Sequence, residues 1–286
     1  MHIILGGTGH VGSALAETLL ERGEAVTVVS RNASVRQAWE RKGAQFALVD
    51  VHDVDALRRL LRRGRRLFLL NPPAAPATDT DAVEKANLRA ILAALEGSGL
   101  EKIVAESTYG AQDRDRSGDL GILYAMEQAL RAQPIPFSVI RAAYYMSNWD
   151  ESLSSAREHG KVLSFYPADF RLPMVAPRDL GRVAADLITE PVENTGMHHV
   201  EGPRPYSPAD VADAFARALG REVEVEVVPR AQWVATYRTL GFSEAAAKSY
   251  ADMTAVTLDE DYPIPGEPVR GQIDLDAYIQ DLVDKS

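Results

Sequence analysis

The chain begins with the apolar run Ile3-Ile4-Leu5 and passes at once into Gly6-Gly7-Thr8-Gly9-His10-Val11-Gly12. Residues 11–22 follow with apolar side chains at Val11, Leu15, Leu19 and Leu20, which is helical spacing. A strand, a glycine turn and a helix in that order leave few folds open. Gly7, Gly9 and Gly12 satisfy G-x-G-x-x-G, and Gly6, Gly9 and Gly12 satisfy G-x-x-G-x-x-G. In either register glycine permits a tight turn and lets backbone N–H groups approach a pyrophosphate. The helix N-terminus adds partial positive charge. The whole loop, Gly6, Gly7, Thr8, Gly9, His10, Val11 and Gly12, is therefore a candidate dinucleotide cradle.

The same alternation continues. Strands are expected at residues 25–29, 46–49, 67–70, 103–105 and 137–140, with helices at 33–41, 53–63, 79–96 and 119–132. Short apolar strands between helices imply a parallel sheet covered on both faces. Six such units predict an α/β fold with a doubly wound parallel (Rossmann) sheet, in the order 3-2-1-4-5-6. The rhythm changes after Arg141. Residues 151–286 are expected to form a smaller α+β C-terminal lobe for substrate, with segments near 176–200 returning to the dinucleotide domain of residues 1–150. From Tyr250 onward nine acidic and two basic residues read as a solvated acidic surface.

The second strand ends in Ser30-Arg31-Asn32. An NAD site places an acid near this point for the ribose 2′-hydroxyl, and here the acid is missing. Arg31 suits a 2′-phosphate instead, with Ser30 and Asn32 as neutral partners and Arg36 nearby, so the expected cofactor is NADP(H). Asp50 and the Asn71-Pro72 pair follow the third and fourth strands, at carboxyl ends where such sheets bind ligands. Asp50 suits the adenine amino group or, equally, a turn.

Composition excludes several alternatives. The chain has no cysteine, so thiol nucleophiles, Fe–S clusters and thiolate zinc sites are out. Its net charge of −10 disfavours a nucleic-acid partner. No apolar run reaches a membrane span, no signal peptide is expected, and the expected location is cytoplasmic. Arg58, Arg59, Arg62, Arg63, Arg65 and Arg66 read as one solvated helix face. His198 and His199 point to opposite faces of a strand, so no metal site is expected.

The glycine loop, the Ser30-Arg31-Asn32 strand end and Ile103-Val104-Ala105-Glu106-Ser107-Thr108 resemble the NmrA-like branch of the atypical short-chain dehydrogenase/reductases. So do the segments from Val139 to Asn148 and from Ala176 to Gly181. The resemblance implies a cleft lined by Ser107, Thr108, Tyr109, Tyr144 and Tyr145. It implies either an NADPH-dependent reductase of quinones, dyes or phenolic ethers, or a dinucleotide-sensing regulator with a protein partner.

Typical short-chain reductases carry Tyr-x-x-x-Lys on the helix after the fifth strand, where the lysine lowers the tyrosine pKa. The matching residues here are Tyr124 and Gln128. Tyr124 stays a candidate proton donor with Ser107, Thr108 and Glu106, but its activating lysine is absent. Of the six lysines, Lys102 lies at the wrong end of the sheet and Lys161 remains open. Hydride transfer to an electron-poor quinone or dye demands less acid catalysis, and the tyrosines and Trp149 offer flat surfaces for such an acceptor. Glu106 ends an apolar strand, where a carboxylate must be paired or have a raised pKa. Its candidate roles are proton donor, substrate anchor, or acceptor for the following helix.

Overall fold

The computed structural model describes residues 1–262 and 264–286. Its centre is an eight-stranded sheet in which every neighbouring pair is parallel. The strands are β1 (His2–Ile4), β2 (Val26–Ser30), β3 (Gln45–Leu48), β4 (Arg66–Leu69), β5 (Lys102–Thr108), β6 (Phe137–Ala142), β10 (Gly196–Glu201) and β13 (Val269–Arg270), ordered β3-β2-β1-β4-β5-β6-β10-β13. The expected doubly wound order is present, and two late strands extend it.

Two apolar layers hold this sheet. On one face α1 (His10–Glu21) and α7 (Pro177–Thr189) cover Ile4, Val28, Phe68, Val104 and Ile140. Gly181 makes their contact possible, since a Cβ there would stand 2.7 Å from the Cβ of Ala14. On the other face α3 (Val54–Leu61), α4 (Thr80–Leu95) and α5 (Asp119–Arg131) cover Ile3, Leu67, Leu69, Ile103 and Ala105. Leu67, Phe68 and Leu69 are all fully buried, as a strand with helices on both sides requires. Each such side chain contributes about 1.5–3 kcal/mol. The short α2 (Arg36–Arg41) lies between β2 and β3.

The lobe has its own core of Met146, Trp149, Phe215, Leu275 and Ile279. It contains β7 (Tyr144–Tyr145), α6 (Ser152–His159), β8 (Lys161–Ser164), β9 (Leu172–Val175), β11 (Pro205–Tyr206), α8 (Pro208–Leu219), β12 (Glu224–Val227), α9 (Trp233–Thr239), α10 (Glu244–Asp259) and α11 (Leu275–Asp284). A capping box between Ser207 and Asp210 starts α8, and Gly220 in the left-handed region ends it.

The acidic C-terminal run is more than solvated surface. Within it α11 buries Leu275 and Ile279 against the lobe, and β13 pairs with β10. Buried Asp179 anchors the turn between them by accepting from the N–H groups of Gln272 at 3.0 Å and Ile273 at 2.9 Å. The arginine run is largely exposed, as expected of a solvated face, but three of its side chains also tie backbone carbonyls. Arg58 donates to the Ala93 carbonyl, Arg62 to Gly97, and Arg66 to Ile188 and Glu190. Among the described residues no helix is long and apolar enough to cross a membrane.

Candidate functional site

The glycines of the first loop divide by what a side chain would strike. A Cβ at Gly12 would stand 2.2 Å from the Gly6 carbonyl oxygen, and one at Gly7 would stand 3.0 Å from the Ile4 oxygen. These two glycines serve packing. A Cβ at Gly9 would meet only the Gly6 oxygen, at 3.4 Å, and otherwise faces open space. Gly6 itself sits at φ +67°, a conformation that favours glycine.

The first helical hydrogen bond of α1 runs from Ser13 N–H to the Gly9 oxygen, at 2.9 Å. Among the described residues, the N–H groups of His10, Val11 and Gly12 have no backbone acceptor, and α1 has neither a side-chain cap nor an acid in its first turn. This uncapped positive end, beside an open glycine, fits a pyrophosphate. His10 also faces Asp150, 3.9 Å away, and Asp150 accepts from the Tyr278 hydroxyl at 2.8 Å.

Ser30 and Asn32 shape the turn after β2. Ser30 Oγ accepts from the Asn32 N–H at 3.1 Å and lies 3.4 Å from Thr8 Oγ1, while Asn32 Oδ1 accepts from the Ser34 N–H at 2.9 Å. Arg31 is exposed and, among the described residues, has no ion pair. Arg36 is engaged over the Phe46 ring and beside Glu40. Asp50 accepts from the His52 N–H at 2.9 Å, an Asx turn that leaves its second oxygen free. Asn71 is buried, with its amide donating to the Glu84 carbonyl and, among the described residues, its Oδ1 unpartnered. The Pro72 carbonyl accepts from Asn87 at 2.9 Å. The open loop, the unpaired arginine and the orphaned Asn71 oxygen together fit a phosphorylated dinucleotide laid across the carboxyl ends of β1, β2 and β4.

Strand alternation separates the residues of β5. Ser107 faces α5, where its hydroxyl donates to Glu127 at 2.6 Å, and Arg141 grips the same carboxylate at 2.9 and 2.7 Å. Its hydroxyl is committed to this buried network. Glu106 faces the opposite layer, is 3 % exposed, and accepts from the Tyr145 hydroxyl at 2.9 Å. Among the described residues its other oxygen has no partner. Burial pushes its pKa up to about 8, against the smaller opposing pull of the Tyr145 contact. Tyr109 donates to Glu201 at 3.0 Å, and Arg270 holds the other Glu201 oxygen. Thr108 is half-buried at the strand end.

Tyr124 is half-buried on α5, and among the described residues its hydroxyl has no hydrogen-bond partner. Each lysine is engaged elsewhere: Lys42 with Glu17, Lys85 with Asp115, Lys102 with the Pro191 carbonyl, Lys161 with Glu226, Lys248 with Glu244 and Lys285 with Asp281. Lys161, left open on sequence, sits on β8 in an exposed ion pair away from Tyr124. Trp149 is a correction. It is 3 % exposed in the lobe core and offers no face to an acceptor.

Tyr144 leads from the sheet edge into an aromatic cluster. Its ring lies 5.9 Å from Tyr166, which stacks on Phe170. Phe165 and Tyr237 stack at 4.1 Å, and Tyr237 adjoins Phe242 and Tyr250. Sequence reading missed Tyr166, Tyr237 and Tyr250, because no local pattern joins three distant segments. It also missed how α10 is fastened over this edge. Ser249 donates to Asp81 at 2.5 Å and accepts from the Gly118 N–H, and Arg114 reaches Asp252 and Glu260. Beneath α10, burial and the charges of Asp119 and Asp81 push Glu84 up to about 7. Desolvation by the surrounding protein and the Asp81 charge raise Asp119, although its side chain keeps accessible surface. A hollow of about 430 Å³ lined by Arg131, Gln133, Ile135, Phe137, Thr195 and Met197 lies at the opposite, amino-terminal edge.

The Glu106 shift sets the sign of a pH effect. The folded state keeps a proton that the unfolded chain releases above about pH 4.3, so this contribution is full at low pH and is lost as pH rises toward about 8. Wild type is therefore expected to lose stability relative to Glu106→Gln between about pH 5 and 9. Urea unfolding of both proteins across that range checks it, and a constant difference would overturn it.

Comparison with known proteins extends the sequence resemblance. The chain is 24 % identical over 280 residues to an NAD(P)H azoreductase of Xenophilus azovorans, covering 94 % of each. An NADPH-dependent quinone oxidoreductase structure from Escherichia coli superposes with a TM-score of 0.76 at 22 % identity, covering 99 % of each chain. A Citrobacter sp. triphenylmethane reductase complexed with NADP(H) gives 0.78 at 17 %, covering 98 % of this chain and 99 % of that one. The NmrA-like family profile matches residues 2–278, and the chain belongs to that family.

Proposed function

We propose that the protein is an NADPH-dependent reductase that transfers hydride to a small quinone-like or aromatic acceptor. The observation that carries this reading is the composition of the edge beyond β5 and β6. It gathers half-buried tyrosine rings, Tyr145 and Tyr144 first, and among the described residues no lysine contacts Tyr124. Such an edge lacks the cation that makes a tyrosine a strong acid for ordinary ketones. It suits an acceptor that is already electron-poor and needs holding more than activating. The azoreductase, quinone oxidoreductase and dye reductase named above support the same class. When bound, NADPH supplies the hydride. The loop from Gly6 to Gly12 would hold its pyrophosphate, Arg31 with Ser30 its 2′-phosphate, and Asn71 and Asp50 neutral groups along its length.

Purified protein is expected to oxidise NADPH in the presence of quinones or azo and triphenylmethane dyes well above the protein-free rate. Tight NADPH binding without turnover on any of them would overturn the reductase and favour a sensor. NADPH is also expected to bind about ten- to a hundredfold tighter than NADH, the worth of one charge-assisted contact, with Arg31→Ala removing most of the difference. Calorimetric titration of both cofactors checks this, and equal wild-type affinities would dispose of the arginine's role.

A further inference from the structure

The reductase reading leaves one chemical problem. The reduced acceptor must gain a proton, and among the described residues Tyr124 has no activating partner. Glu106, the only carboxyl group on β5, is buried beside Tyr145, and among the described residues its hydrogen-bond shell is incomplete.

We propose that Tyr145 delivers this proton and that Glu106 replaces it, a carboxylic acid and a phenol acting as a two-step relay at the carboxyl end of β5. The proposal rests on the reductase reading above.

Geometry carries it. Glu106 is nine-tenths buried or more, and its contact with the Tyr145 oxygen is 2.9 Å. Among the described residues its second oxygen meets no donor. Among the described residues no lysine, arginine or histidine forms an ion pair with it. An ionised Glu106 would leave an anionic oxygen bare in an apolar layer, whereas a neutral acid leaves only an uncharged carbonyl oxygen unpaired. The raised Glu106 pKa agrees with the neutral form.

In the neutral form the Glu106 O–H can donate to the Tyr145 oxygen across the same 2.9 Å. Tyr145 is then free to turn its own hydrogen away from Glu106. The ring is half-buried on β7, which follows β6 directly at the sheet's carboxyl edge. Two titratable groups bear on the Tyr145 hydroxyl: Glu106 in contact and, farther away, Asp119 at the start of α5. Burial first, and then these carboxyls, raise the phenol well above its usual range. Tyr145 alone would be a poor acid. A proton arriving from Glu106 as the phenol's own proton leaves prevents a full phenolate charge from forming.

The step balances for a quinone. Hydride from NADPH, two electrons and one proton, converts the quinone to a hydroquinone monoanion. The Tyr145 O–H bond breaks as the second hydroquinone O–H forms. The Glu106 O–H bond breaks as Tyr145 regains its hydrogen. Glu106 is left as a carboxylate and recovers a proton from solvent between turnovers. Tyr145 would be catalytic, and Glu106 acts through it.

The test combines spectroscopy with kinetics, using 1,4-benzoquinone and NADPH. Infrared spectra of the cofactor-free protein are expected to show a protonated-carboxyl band that titrates near pH 8 and is absent from Glu106→Gln. Tyr145→Phe is expected to lower kcat by about 10²–10⁴, the usual worth of a general acid, with NADPH affinity unchanged by calorimetry. Glu106→Gln keeps the shape but holds no acidic proton. It should lower kcat and abolish the fall in kcat that wild type shows above about pH 8. Wild-type turnover with Tyr145→Phe within about threefold of it would overturn the relay and leave the reductase standing. So would a missing carboxyl band, or a larger kcat loss in Tyr124→Phe than in Tyr145→Phe. Absence of wild-type turnover would overturn the reductase reading itself, and the relay with it. If Tyr145→Phe fails to fold, the isosteric Glu106→Gln still tests the relay, and an unchanged kcat and pH profile in that variant would overturn it.

Discussion

Gly9→Val is expected to abolish dinucleotide binding while the protein stays folded. Gly9 has φ −85° and ψ 177°, an extended conformation that valine adopts without strain. The nearest atom to an added Cβ is the Gly6 oxygen at 3.4 Å, an ordinary contact. The rest of the side chain would project into the space before the unbonded N–H groups of His10, Val11 and Gly12. A pyrophosphate could no longer reach them. NADPH affinity should fall at least about a hundredfold, or about 2.7 kcal/mol. Circular dichroism with calorimetric titration measures both parts. Normal affinity in the folded variant would show that this loop is not the phosphate site. Gly12→Val should fail differently, by unfolding, because its Cβ would stand 2.2 Å from a backbone oxygen.

Arg141→Ala is expected to be the most damaging single change away from the cofactor loop. Glu127 has no exposed side-chain surface and takes hydrogen bonds from Ser107 and from two Arg141 nitrogens. Arg141 also donates to the Ala111 carbonyl at 3.2 Å. Removing the guanidinium leaves a buried carboxylate with one hydroxyl as partner, which typically costs about 3–5 kcal/mol. Adding Glu127→Gln removes the charge and should recover much of that loss. Urea unfolding of the single and double variants decides it. A loss below about 1 kcal/mol in Arg141→Ala would mean that the pair adds little.

Some features were legible because their cause is local. The dinucleotide fold follows from short apolar strands alternating with helices at 3.6-residue spacing, and each strand's two faces follow from its period of two. The glycine loop could be read because three glycines at fixed spacing lie between one strand and one helix. The absence of an acid after Val29, and of a lysine four residues after Tyr124, is a plain fact of the chain. The oddity of Glu106 was equally visible, since a carboxyl group in an apolar strand contradicts its surroundings.

What lay beyond sequence was partnership across distance. Local spacing cannot show that Ser107 is committed to Glu127, that Tyr109 is tied to Glu201, or that Trp149 turns into the lobe core. The small strands β7, β9 and β11 are too short to leave a period, and α11 was hidden by its own charge. The sequence by itself determined a doubly wound sheet with a glycine turn opening its first helix, because backbone sterics and hydrophobic periodicity act between neighbours. Only the tertiary structure decided which hydroxyl meets which carboxyl. Tyr145 meets Glu106 across 39 positions, and burial, not composition, makes that carboxyl hold its proton.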